Sequence, residues 1–74
     1  MEKICFLCDK EYSDILKTRI DKLSHKCLLH IVKIEEHAEY EDMLRFTVKY
    51  SDPSDLLDLG GEIVISRLIK RGIL

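Results

Sequence analysis

From Met43 to Tyr50 the chain alternates. Leu44, Phe46, Val48 and Tyr50 fall on one side, and Met43, Arg45, Thr47 and Lys49 on the other. A period of two is the signature of a strand with one buried face. The preceding arm, Lys26 to Ile34, is also rich in β-branched and aliphatic residues, and an acidic stretch from Glu35 to Asp42 joins the two. The pair reads as a hairpin. No Asn-Gly or Asp-Gly marks a tight turn, so the connection is expected to be longer and mobile. Glu35 facing Arg45 would set Val32 opposite Val48, a register that keeps inward residues inward.

A strand needs partners, and the rest of the chain supplies them. Lys3 to Cys8 reads as a first strand with apolar residues on both faces: Ile4, Phe6 and Cys8 against Cys5 and Leu7. Asp9 can cap a helix from about Lys10 to His25, in which Tyr12, Ile15, Leu16, Ile20 and Leu23 recur at helical spacing. Ser51-Asp52-Pro53-Ser54-Asp55 is a strong helix start, with Pro53 at the first helical position and Asp52 as cap. Leu56, Leu57, Leu59, Ile63, Val64, Leu68 and Ile69 continue it to Lys70 and Arg71, and Gly72 supplies the stop. Gly60-Gly61 and the β-branched run Ile63-Val64-Ile65 leave a competing reading, a short helix followed by a fourth strand from Glu62. One continuous helix is the expectation.

The order β-α-β-β-α implies a right-handed crossover, with the third strand between the first two. The expected fold is a single α+β domain over residues 1–74, a two-layer sandwich with sheet order 1-3-2 and both helices on one face. In the order of its elements, though in no motif, it resembles a ferredoxin-like fold whose last strand is missing or short. At 74 residues one modest core is all such a chain can bury.

Composition narrows the function classes. Twelve basic and fourteen acidic side chains leave a net charge of −2, without the basic excess that displaces counterions from nucleic acid. No apolar run approaches a membrane span. The opening Met-Glu-Lys-Ile-Cys lacks a secretory leader's apolar segment, and three cysteines fit a reducing compartment, so the expected location is the cytoplasm.

No catalytic constellation stands out: there is no nucleophile–base pair, no phosphate loop around Gly60-Gly61, and no calcium loop in the Glu35–Asp42 cluster. No cofactor is expected, and an enzyme is the least supported class. The alternative is a regulatory domain binding a small ligand or a metal, with zinc held by Cys5, Cys8, His25 and His30. Against it, Phe6-Leu7 supplies no knuckle between the cysteines, and strand residues three apart point to opposite faces. Cys27, between His25 and His30, adds a further thiol but no better spacing.

What remains is surface. Strands one and two are apolar on both faces, so two helices cannot cover everything. Cys5, Leu7, Leu29, Ile31 and Met43 are expected to form an exposed apolar centre, with Arg45, Lys33 and Lys49 at its rim. The free edge of strand one invites a further chain. The expectation is a non-catalytic domain that works as a homodimer or docks a larger protein partner through this face or edge, with neither nucleic acid nor membrane involved, since the face offers no stacking ring.

Overall fold

The computed structural model describes residues 2–25 and 29–73. Along the chain run β1 (Glu2–Asp9), α1 (Lys10–Leu23), β2 (Leu29–Glu36), β3 (Met43–Tyr50) and α2 (Asp55–Lys70). The three strands form one antiparallel sheet in the order β1-β3-β2. Helix-borne Leu16, Ile20 and Leu59 share a single core with strand-borne Cys8, Leu29, Phe46 and Val48, so both helices cover the same side of the sheet. The expected α+β layout is therefore the observed one. The expected opening of the second strand at Lys26, Cys27 and Leu28 lies outside the described residues.

Each element starts where its local chemistry dictates. The Asp9 carboxylate accepts from the Glu11 backbone N–H at 2.8 Å, satisfying one of the four orphan donors at the start of α1. The Lys10 N–H donates to the Asp42 carbonyl at 2.8 Å, tying the β1–α1 corner to the hairpin. Before α2, the Asp52 carboxylate accepts from the Ser54 N–H at 3.0 Å, and its carbonyl takes the Asp55 N–H at 2.9 Å. Pro53 thus lies in a tight lead-in turn, two residues before the regular helix rather than at its first position. The helix then passes through Gly60 and Gly61 without a break, and no fourth strand forms from Glu62 onward.

The stop of α2 is a paired-hydrogen-bond cap. The Gly72 N–H donates to the Ile69 carbonyl at 3.0 Å, and the Ile73 N–H reaches back to the Leu68 carbonyl at 3.0 Å. Gly72 takes a φ of 78° to permit this, a left-handed conformation that only glycine adopts without penalty.

Packing follows the strand register. Phe6 and Phe46 are direct partners in the β1–β3 ladder, and their rings stack with centroids 5.4 Å apart. Fully burying a side chain such as Phe46, Leu16 or Ile20 stabilises the fold by about 1.5–3 kcal/mol each. The two helices are joined by an ion pair between the Arg19 guanidinium and the Glu62 carboxylate, both partly buried.

Register also brings a correction. Glu35 does face Arg45, but Val32 does not face Val48: Ile31 takes that place, and the next pair is Lys33 with Thr47. One extra residue, Val32, has been inserted into β2. Such a bulge reverses the inward–outward phase of everything beyond it. Leu29 and Ile31 point inward before the bulge, and Ile34 points inward after it, so all three pack on the core. Leu29 and Ile31 are therefore not part of an exposed apolar centre, as the uniform alternation had implied.

Candidate interface on the open sheet face

The sheet has one face under the helices and one open. Antiparallel partners sit on the same face, so the register assigns the open one row by row. Lys3, Lys49 and His30 form the first row, Cys5, Thr47 and Lys33 the second, and Leu7, Arg45 and Glu35 the third. Met43 pairs with Asp9 beyond them. Of the expected interface residues, Cys5, Leu7 and Arg45 are brought together here, Met43 at the end of the ladder lines a groove between the start of α1 and the end of α2, and Leu29 and Ile31 are withdrawn into the core.

The face is accordingly basic rather than apolar. Within these three rows four cations, Lys3, Lys33, Arg45 and Lys49, stand against the carboxylate of Glu35, and Asp9 beyond them is turned to capping α1. Glu35 is already engaged, opposite Arg45 in the ladder and 3.4 Å from the Lys33 ammonium. At the other end Lys3 and Lys49 are direct cross-strand partners. Like charges so placed repel, and His30 extends the row across the third strand. The chain as a whole is acidic, so this local excess of positive charge is a sorting of charge between faces.

Apolar contact is confined to islands. Leu7 is 41% exposed and Val32, pushed out by the bulge, 43%. Between them Thr47 is buried under its neighbours, its hydroxyl 3.4 Å from the Cys5 thiol. The large rings carried by the strands, Phe6, Phe46 and Tyr50, lie on the covered side, and the imidazole of His30 is the one ring among the described strand residues on the open face. The face therefore pairs long cationic side chains with short aliphatic ones and has no Phe, Tyr or Trp for successive bases to stack on.

The metal-ligand candidates do not converge. Cys5 is exposed on the open face, and Cys8 is buried in the core on the other. His30 is exposed on the open face, and His25 lies just past the end of α1, also exposed. Among the described residues no group of three or more His, Cys, Asp or Glu side chains is placed to hold a metal ion. Burial pushes the Cys8 thiol up to about 11; the nearby Asp9 charge adds to this, and a hydrogen bond with Tyr12 tempers it. A thiol held protonated in this way is a packing group rather than a nucleophile.

The remaining concavities are shallow. A groove of about 290 Å³ runs between the start of α1 and the end of α2, lined by Asp9, Glu11, Tyr12, Arg67, Lys70 and Arg71. Its two acids, Asp9 and Glu11, offset most of the charge of Arg67, Lys70 and Arg71 within the groove itself. No described helix is long and apolar enough to cross a membrane.

What sequence reasoning missed was the extra residue in β2, because Leu29-His30-Ile31-Val32-Lys33-Ile34 carries no glycine to announce a bulge. The basic row was legible in principle: once Lys3 and Lys49 are assigned to the outward phase of neighbouring strands, they must meet. Comparison with known protein families, with curated proteins and with solved structures gave no match.

Proposed function

We propose that this chain is a non-catalytic docking domain of the cytoplasm, whose open sheet face receives an acidic segment of a partner protein. The observation that carries the reading is the direct Lys3–Lys49 cross-strand pair, a repulsive alignment that an anionic partner would relieve. Carboxylates over that pair and aliphatic side chains over Leu7 and Val32 would complement both ends of the face. The unpaired outer edge of β1 lies beside it and offers backbone groups to an extended segment. The free thiols of Cys5 and Cys8 suit a reducing compartment.

A second copy is a poorer occupant of this face. A two-fold contact between identical sheets would lay Lys3, Lys33, Arg45 and Lys49 against their own equivalents. Nucleic acid shares the required negative charge, but a face whose one ring is the His30 imidazole, with no Phe, Tyr or Trp, favours a peptide.

Fluorescence anisotropy with a labelled peptide of alternating glutamate and leucine tests the reading. The expected result is saturable binding that weakens at least about tenfold in Lys49→Glu and Arg45→Glu, and also weakens with added salt. Absence of binding at about millimolar protein would overturn it, as would an oligonucleotide of equal length binding more tightly than the peptide.

A further inference from the structure

The outward side of α2 carries an apolar stripe that the fold leaves in water at Leu57 and Val64 and only partly covers at Leu68. Leu56, Leu59, Ile63 and Ser66 turn toward α1 and the sheet. On the opposite side, at one-turn intervals, stand Leu57, Gly60 and Gly61, Val64 and Leu68. Leu57 is 80% exposed, Val64 55%, and both glycines are exposed. From Leu57 to Leu68 this outer line contains no charge. A helix that is apolar on both sides is characteristic of one with partners on both sides.

The glycines sharpen the point. A Cβ built on Gly60 or Gly61 meets nothing within 4 Å, and neither residue has a positive φ. No contact or backbone requirement within this chain explains them, and in an exposed helix interior glycine is less favourable than alanine. What two adjacent glycines do provide is a notch through which another helix can approach closely.

The pattern matches itself in reverse. About a point between Glu62 and Ile63, Leu57 and Leu68 are equidistant, and so are Gly61 and Val64. Two antiparallel copies of α2 would set leucine on leucine at both ends and seat each Val64 in the other's glycine notch. The backbone agrees. Antiparallel copies oppose the helix dipoles, whereas parallel copies would align them.

We infer that the occupant of this stripe is a second copy of the chain, joined α2 to α2 about a two-fold axis through the Gly61–Val64 region. The contact lies in the helical layer, apart from the basic sheet face, and stands or falls separately from the docking reading. One helix pair buries less than the roughly 800 Å² per partner of a standard interface, so the dimer is weak and concentration-dependent.

Sedimentation equilibrium over roughly 10 µM to 1 mM decides the matter. The expected result is a reversible monomer–dimer equilibrium that weakens at least tenfold in Val64→Lys and in Gly61→Leu. Lys49→Glu, on the sheet face, should leave it unchanged. Gly61 and Val64 are exposed and Lys49 partly so, and unaltered far-ultraviolet circular dichroism checks that each variant folds. A wild-type protein that stays monomeric throughout would overturn the inference, whether or not it binds phosphatidylcholine vesicles. So would a dimer that both helix variants leave intact, or one that Lys49→Glu abolishes.

Discussion

At Val32 β2 holds one residue more than its partner strand, and the side chains on either side of that point obey opposite parities. Leu29 and Ile31 on one side and Ile34 on the other can all face the helices only because Val32 absorbs the mismatch at the surface. Leu29→Ala should therefore cost about 2–5 kcal/mol, the usual range for emptying a fully buried leucine site. Val32→Thr, equally β-branched, should stay within about 0.5 kcal/mol of the wild type. Urea unfolding followed by circular dichroism measures both. Equal losses at the two positions would mean that the bulge is misplaced. Periodicity in the sequence identified the candidates here but not their sides, because alternation carries across a strand only while the register is uninterrupted.

The helix α2 shows how one residue type can do opposite things within one element. Gly72 occupies a left-handed position that closes the helix, so Gly72→Ala should destabilise by about 1 kcal/mol. Gly60 has ordinary helical geometry and open space where a methyl group would go, so Gly60→Ala should stabilise the monomer by about 1 kcal/mol. Thermal melts at low concentration should move in opposite directions, by about 4–8 °C each for a domain of this size. The start and stop of this helix were legible in Ser51–Asp55 and in Lys70–Gly72, since capping is local chemistry. That the helix continues through Gly60-Gly61 was a matter of packing. Leu59 and Ser66 are buried on either side of the glycines, and Glu62 meets Arg19 of α1, so tertiary contacts hold both halves in line.

On the scale of the whole fold, three groups among the described residues make folding sensitive to alkali in the same direction. Cys8 and Tyr12 are raised chiefly by burial, and Tyr50 chiefly by the hydrogen bond its hydroxyl donates to Glu2 at 2.8 Å. Each keeps its proton in the folded state at a pH where the unfolded chain has released it. The unfolded state then binds fewer protons, so stability falls as pH rises, beginning near the ordinary thiol value of 9.0 and continuing toward the folded Cys8 value of about 11. Urea midpoints at about pH 8 and about pH 10.5 should show this loss, and Cys8→Ala should reduce the difference between the two. A midpoint that does not change with pH would contradict the burial of this thiol. Charge is sorted on the same scale: a chain of net charge −2 sets four cations against Glu35 on the three central rows of its open sheet face.

By itself the sequence determined the element order, the sheet order and the inward residues of β1 and β3, because alternation, helical spacing and capping act over a few neighbouring residues. Only the tertiary structure decided which side chains are left in water. That depends on a single inserted residue in β2 and on which side of α2 meets α1. The apolar surplus consequently lies on the outer helix, at Leu57 and Val64, and the sheet is left with its lysines.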